Sequence, residues 1–158
     1  MAPSRLKRTR KGDFSLEIPE SERDILRALP GQLRELLTES DPTTDPALRR
    51  LFPPAYLDDA ERTAEFDALV RDDLVEQRIA AIETMERTVD AQRLSEEEIL
   101  AWLSAVNDLR LVLGTRLDVT EEMDEPDFAP DDPRALMFAL YGYLSYLEEE
   151  IVAALSTR

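Results

Sequence analysis

Residues 95–117 read SEEEILAWLSAVNDLRLVLGTRL, and this segment carries a strong helix signal with a defined start. Ser95 and Glu98 form a capping box, in which each side chain accepts a hydrogen bond from a backbone amide that lacks a helical partner. Apolar side chains then recur three or four positions apart, as on the buried face of a helix. They are Ile99, Trp102, Leu103, Val106, Leu109, Leu113 and Leu117. The pattern predicts a helix that follows Ser95 and ends at about Leu117.

Three further segments show the same periodicity. One opens after Pro19 and contains Pro30, which removes a backbone donor, so we expect a kinked first helix. The next covers residues 60–88 without any Gly or Pro. The last begins at Pro133, because proline favours the first helical position, and continues to residue 156. Four long helices are therefore predicted.

The start of the chain has the pattern of strands. Phe14, Leu16 and Ile18 alternate with polar residues after a Gly12-Asp13 turn signal, which predicts a short hairpin. An isolated hairpin is marginal in water, so its apolar face must lie against helices. The sequence thus predicts a mainly α fold, a four-helix bundle-like domain with a short N-terminal β-hairpin.

The length of 158 residues and the 43% of apolar residues suit one domain with one core. We therefore predict a single domain over residues 1–158. Its predicted parts are a basic hairpin arm at 1–18, helices one to three with their connectors at 20–117, an acidic loop at 118–132 and a C-terminal helix at 133–156.

Missing residue types argue against most enzyme classes. The chain has no Cys and no His, which excludes thiolate and imidazole ligands, cysteine nucleophiles and Ser-His-Asp triads. The only lysines, Lys7 and Lys11, lie outside any predicted core, and four scattered glycines do not form a phosphate-binding loop. Catalysis through carboxylates alone is the enzymatic alternative. We predict a protein that is not an enzyme and has no cofactor.

The sequence contains no run of 18 apolar residues, so it predicts no membrane-spanning helix. A secretory signal has an apolar segment after its basic start, and this chain has none there. We therefore expect a cytoplasmic protein with no membrane partner.

The acidic loop at 118–132 is a candidate cation site, because clustered carboxylates bind Ca²⁺ or Mg²⁺. However, the Asp spacing of a calcium loop is missing, and Pro126 and Pro130 interrupt the segment. We interpret it as a solvated charged loop and predict no metal.

The basic start is a candidate nucleic-acid contact. After residue 11 the chain holds 14 basic residues against 35 acidic ones, a net charge of −21, so the positive charge is concentrated in the arm. Such an arm suits phosphate contact, whereas the alternative is a basic tail that lies on the protein's own acidic surface. The candidate contacts are Arg5, Lys7, Arg8, Arg10 and Lys11.

The second half of segment 95–117 contains a candidate network. Asn107, Arg110 and Gly114 share one helix face, and a helical Gly, which costs about 1 kcal/mol, suggests close approach of another backbone. Arg110 lies among leucines and needs a partner. A ligand site at these residues is the alternative to a structural network or self-association seam. Tyrosines on the last helix suit a self-association surface. The predicted network or homodimer interface comprises Asn107, Asp108, Arg110, Gly114, Arg116, Tyr143 and Tyr146.

Residues 107–117, NDLRLVLGTRL, resemble the central signature of the actinobacterial AosR-like proteins, a family long catalogued as a domain of unknown function. Further agreement comes from Asp45-Pro46, Leu51-Phe52-Pro53, Ala55-Tyr56 and the Asp-rich segment before Pro133. The resemblance extends over nearly the whole chain.

The resemblance implies a regulator of transcription in the response to oxidative stress, which acts with a stress sigma factor or RNA polymerase. DNA is a further candidate partner, and the charge of the basic arm suits contact with it. In that family, redox sensing is tied to a cysteine pair near the N-terminus, and this chain has none. Thr9 cannot form a reversible disulfide, so direct thiol sensing does not carry over. Methionine oxidation is chemically available, but the sequence singles out none of the four methionines. The alternative function is a helical adaptor or self-associating protein without nucleic-acid contact.

Overall fold

The computed structural model describes residues 4–39, 46–51, 60–117 and 131–157. The elements in chain order are β1 (Leu6–Arg8), β2 (Phe14–Leu16), α1 (Glu20–Glu39), α2 (Pro46–Leu51), α3 (Ala60–Thr88), β3 (Arg93–Leu94), α4 (Glu96–Arg116) and α5 (Pro133–Ser156). The predicted mainly α fold with an N-terminal hairpin is therefore confirmed. Within the described part of the chain, no helix is long and apolar enough to cross a membrane.

The hairpin forms one side of a small antiparallel sheet in the order β1-β2-β3. Leu6 pairs with Leu16 and Arg8 with Phe14, and the sequence did not predict the additional pairing of Phe14 with Leu94 in β3. The apolar side chains of all three strands are buried, so the sheet packs against the helices as expected. Because side chains alternate along a strand, Lys7 lies on the opposite face of β1 and is exposed.

Arg23 of α1 fastens the sheet to the end of α3. Its Nε donates a hydrogen bond to the Ile18 carbonyl at 3.0 Å and its Nη1 to the Val89 carbonyl at 2.5 Å. Longer bonds of 3.4 Å reach the carbonyls of Leu16 and Ala91. One guanidinium thus satisfies carbonyls from two segments that are far apart in the sequence.

Helix α4 lies at the centre of the domain and contacts α1, α2, α3 and α5. Its predicted capping box is confirmed, since Ser95 Oγ accepts from the Glu98 amide at 3.1 Å and Glu98 Oε1 accepts from the Ser95 amide at 2.8 Å. Trp102 is fully buried, and its indole Nε1 donates to Thr88 Oγ1 at 2.7 Å. The start of α4 therefore follows the sequence pattern, and Ile99, Trp102, Val106 and Leu109 are buried as predicted. The buried face also includes Ala105, Asp108 and Val112, whereas Leu103 and Leu113 are only half-buried.

Two prolines singled out in the sequence, Pro30 and Pro133, lie inside α1 and at the start of α5. Helix α1 continues through Pro30, and the kink stays a prediction. Asp132 caps α5 by accepting from the Arg134 amide at 2.9 Å, and Pro133 follows it as predicted. Of the acidic loop, residues 118–130 lie outside the described part of the chain. Helix α5 packs into the core through its later turns, where the buried residues are Leu144, Leu147, Ile151 and Ala154.

Candidate functional site

The five basic residues of the arm divide into two groups. Arg5 forms a bidentate ion pair with Glu22 of α1, with Nε to Oε1 at 3.1 Å and Nη2 to Oε2 at 2.9 Å. The two side chains are only 16% and 18% exposed. The Arg5 amide also donates to Glu150 Oε1 of α5 at 3.3 Å. Arg5 thus holds the arm against the body of the protein.

Arg8 is the second anchoring cation. Its position in β1 places it on the core-facing side, where its Cζ lies 5.1 Å from the centroid of the Phe14 ring. Its Nη1 donates to the Thr157 carbonyl, next to the end of α5, at 2.9 Å. This position stabilises the Arg8 cation, because the carbonyls at the C-terminal end of a helix carry partial negative charge.

The remaining three cations, Lys7, Arg10 and Lys11, are exposed. Arg10 and Lys11 lie in a turn that is closed by a hydrogen bond of 2.9 Å from the Thr9 amide to the Asp13 carbonyl. Gly12 has a φ of 92°, a conformation that glycine adopts without strain. The Thr9 hydroxyl donates to the Asp13 carboxylate and, with the nearby Arg93, lowers the pKa of Asp13. The two tip cations are therefore presented on a defined turn.

The predicted interface tyrosines contact the anchoring residues. The Tyr146 hydroxyl donates to Glu150 Oε1 at 2.6 Å, and this bond raises the pKa of Tyr146. The buried Tyr143 hydroxyl faces Glu22 without a well-aligned hydrogen bond, and burial followed by the Glu22 carboxylate raises its pKa. Both side chains therefore take part in intramolecular contacts between α5, α1 and the arm.

Arg110 joins α4 to α5. Its Nε donates to Ser145 Oγ at 2.9 Å, its Nη1 pairs with Glu148 Oε2 at 3.3 Å, and its Cζ lies 5.5 Å from the centroid of the Tyr141 ring. A Cβ at Gly114 would lie 3.1 Å from Cε2 of the same ring. The expectation of a close backbone at Gly114 was wrong, because an aromatic ring occupies the space. The spacing of Tyr141, Ser145 and Glu148 on one helix face was the available signal.

Asp108 points away from this contact toward α3. Both of its carboxylate oxygens lie 2.7 Å from Nη1 of Arg78. Burial raises the pKa of Asp108, and the Arg78 cation partly offsets this effect. The predicted network is thus two separate arrangements, one that links α4 to α3 and one that links α4 to α5. Asn107 is half-buried on α4 and belongs to neither of these pairs.

Arg116 lies elsewhere, at an open groove of about 610 Å³ between α1, α4 and α5. Glu35 and Gln32 also line the groove. Its walls are otherwise apolar and include Leu33, Leu36, Val112, Leu113, Met137 and Leu140. Leu136, which precedes Met137, is 68% exposed. This end of α5 therefore presents apolar surface that no described element covers.

Over residues 4–39, 46–51, 60–117 and 131–157, no group of three or more His, Cys, Asp or Glu side chains could hold a metal ion. The chemistry that these surfaces support is binding. The exposed cations suit a polyanion, and the groove suits an apolar side chain or helix face.

Comparison with known proteins gives one family and several relatives. A family model described as a domain of unknown function (DUF2017) matches residues 1–155. Proteins from Mycobacterium tuberculosis (strain H37Rv) and Mycobacterium bovis, both named oxidative stress regulator AosR, are 35% identical over 129 residues. A protein from Mycobacterium leprae named putative oxidative stress regulator AosR is 33% identical over 132 residues. Each alignment covers 70% of this chain and 58% of the relative, so the chain spans little more than half of the relatives' length. No solved structure matches.

Proposed function

The chain belongs to the DUF2017 family, and from this membership and the geometry of the basic arm we propose that it is a non-enzymatic, cytoplasmic regulator of the oxidative-stress type. It acts on transcription by binding DNA through the arm and a sigma factor or RNA polymerase through another surface. The names of the relatives support the regulatory role, and the resemblance described above supports the class of partner. Because the chain contains no Cys, its signal is not a thiol–disulfide exchange.

The observation that carries the DNA-binding proposal is that two basic residues of the arm are held by the body of the protein while the other three are exposed. Arg5 and Arg8 are engaged with Glu22 and Thr157, which fixes the hairpin on the body. Lys7, Arg10 and Lys11, hereafter the hairpin cations, are the arm residues whose charges are exposed. Phosphate contacts of this kind give affinity without sequence specificity. The acidic body repels the same polyanion, so contact is confined to the arm.

Binding of a fluorescent duplex DNA, measured by anisotropy over a range of salt concentrations, tests this part. The wild type should bind with an affinity that falls steeply as salt rises. Replacement of all three hairpin cations by Gln should weaken binding and reduce the salt slope by about three, one for each lost phosphate contact. Arg87→Gln is the control, because Arg87 is equally exposed but lies at the end of α3. Equal binding by the wild type and the triple variant would refute the role of the hairpin cations.

The protein partner requires a separate measurement. Affinity capture from native cells, with quantitative mass spectrometry, should enrich RNA polymerase or a sigma factor with both the wild type and the triple variant. Capture followed by a binding titration with the purified partner gives the affinity directly. Absence of polymerase and sigma factors from the captured set would contradict the proposed partner class.

A self-associating or adaptor protein is a second candidate, and the exposed Leu136 beside the apolar groove favours it. The net charge of −16 opposes contact between two copies, so added salt should strengthen self-association while it weakens DNA binding. Sedimentation equilibrium of the wild type and of Leu136→Glu tests this candidate. A monomer mass at all protein and salt concentrations would exclude self-association.

A further inference from the structure

The structure distinguishes between methionines that are equivalent in the sequence. Sulfur in this chain is confined to methionine, because there is no Cys. Met85 is fully buried in the core, with 0% of its surface exposed. Met137 is half-buried and lines the open groove between α1, α4 and α5. Within the described ranges, Met137 is therefore the thioether that a small dissolved oxidant can reach.

The surroundings of Met137 make its oxidation state matter. It belongs to residues 133–143 of α5, a segment in which no residue is fully buried, whereas the buried residues of α5 begin at Leu144. Apolar groove contacts involving Met137 and Leu140 hold this segment on the domain. The Tyr141 ring adds a contact with Arg110 and Gly114. Met137 thus belongs to a half-buried contact surface of this segment, together with Leu140, Tyr141 and Tyr143.

We propose that Met137 is an oxidation site, at which a peroxide converts the thioether to the sulfoxide and loosens residues 133–143 of α5. The sulfur attacks one oxygen of hydrogen peroxide, the O–O bond breaks and an S–O bond forms. The sulfur loses two electrons, and the peroxide is reduced to water. Methionine sulfoxide is returned to methionine by thiol-dependent reductases, so the change is reversible.

The sulfoxide changes packing because it is polar and the groove is not. Its oxygen hydrogen-bonds with water or with the donors Gln32 and Arg116 at the groove, whereas packing against the apolar walls would leave it without a partner. The sulfoxide is therefore drawn away from the apolar part of the groove. The first turns of α5 accommodate this by moving away from α4 and α1. The later turns keep their buried contacts from Leu144 onward, so the opening is local. The choice of peroxide as the signal rests on the proposed function, while the site rests on geometry alone.

The test uses the purified full chain treated with increasing hydrogen peroxide. Peptide mass spectrometry follows the oxidation of each methionine, and hydrogen–deuterium exchange follows the backbone. Met137 should be oxidised about tenfold or more faster than Met85, since susceptibility follows exposure. Exchange should rise in residues 133–143 with little change in residues 144–154. Equal oxidation rates for the two methionines, or an unchanged exchange pattern once Met137 is oxidised, would overturn the proposal.

Three leucine variants identify the responsible sulfur. Met137→Leu keeps the apolar volume but cannot be oxidised, and it should abolish the rise in exchange. Met85→Leu and Met123→Leu should each retain it. A rise that persists in Met137→Leu would assign the effect to another group. These measurements require neither DNA nor a transcription partner, so failure of this site and failure of the proposed function are distinguishable.

Discussion

Both carboxylate oxygens of Asp108 lie 2.7 Å from Nη1 of Arg78, and this ion pair links α4 to α3 inside the domain. The Asp108 side chain is 3% exposed and the Arg78 side chain 22%. Nη2 of Arg78 also lies 3.5 Å from the Leu51 carbonyl, which brings the end of α2 into the same arrangement. A buried carboxylate is tolerated only while its charge is balanced, so the two residues act as a unit.

Removal of the cation from this pair should be more harmful than neutralisation of the acid. We expect Arg78→Met to reduce the free energy of unfolding by about 3–5 kcal/mol, because it leaves a buried charge without a partner. Asp108→Asn should cost about 2 kcal/mol, since the partly exposed Arg78 can reach water. The double variant Arg78→Met with Asp108→Asn should lose less than the two single losses combined. Urea unfolding measures all three, and additive losses would show that the residues are not coupled.

The pH dependence of stability should have opposite signs at Glu22 and Asp108. The bidentate bond from Arg5 lowers the pKa of Glu22 below its ordinary 4.5. Stability from Glu22 is therefore present above pH 4.5 and is lost as the pH falls through the lowered value. Burial raises the pKa of Asp108 above its ordinary 3.8. The contribution of Asp108 to folding stability through this shift is therefore present below pH 3.8 and is lost as the pH rises through the raised value.

Glu22→Gln and Asp108→Asn isolate these two contributions. On acidification from neutral pH, the stability advantage of the wild type over Glu22→Gln should shrink. The difference between the wild type and Asp108→Asn should instead shift in favour of the wild type. Urea midpoints between about pH 3 and pH 7 measure both trends. Parallel pH curves for the wild type and either variant would contradict the assigned shift.

Arg23 should be important for the attachment of the sheet. Arg23→Ala removes the donors to the carbonyls of Ile18 and Val89, and we expect a loss of about 2 kcal/mol. Arg23→Lys should recover less than half of it, because an ammonium lacks the planar fork that reaches carbonyls on separate segments. Arg87→Ala is the exposed control and should stay within about 0.5 kcal/mol. Full recovery by Lys would show that charge alone is sufficient.

The effect of Gly114→Ala on stability should change sign when the Tyr141 ring is removed. A Cβ at position 114 meets the Tyr141 ring at 3.1 Å, and Arg110 packs on the same ring. Gly114→Ala should therefore destabilise by about 1 kcal/mol despite its better helix propensity. In the Tyr141→Ala background the same change should stabilise by about 1 kcal/mol. Thermal unfolding of the four proteins completes the cycle, and an unchanged sign would mean that the ring yields freely.

The buried bond between Trp102 and Thr88 gives a prediction with an optical readout. Thr88→Val keeps the shape of the side chain but leaves the indole Nε1 without its acceptor, and should cost about 1–3 kcal/mol. Thr88→Ser keeps the hydroxyl and should cost less. Because Trp102 is the single Trp, its fluorescence follows unfolding and reports any change in its surroundings. Equal stability of the Val and Ser variants would argue against the bond.

Local signals in the sequence were sufficient for the elements themselves. The capping box at Ser95, the Asp132-Pro133 start of α5 and the alternation of Phe14 and Leu16 each predicted an element that the structure contains. Each signal is encoded within a few neighbouring residues, because caps, helical faces and strand faces depend on short-range geometry.

The two-residue strand β3, by contrast, was not predicted, since such a short segment becomes a strand only by pairing with β2. The same holds for the division of the arm into anchoring and exposed cations, which depends on Glu22 and Thr157. Asn107, Asp108 and Arg110 looked like one network in sequence, yet Asp108 meets α3 and Arg110 meets α5.

The sequence by itself therefore determined the four long helices, their starts and the hairpin, together with the absence of thiol and imidazole chemistry. Only the tertiary structure decided which partner each charged side chain meets and which methionine lies at the groove. The physical reason is separation along the chain. Periodicity shows that a residue lies on a given face of its helix, but the residue opposite, such as Val89 for Arg23 or Thr157 for Arg8, is fixed by how distant segments pack.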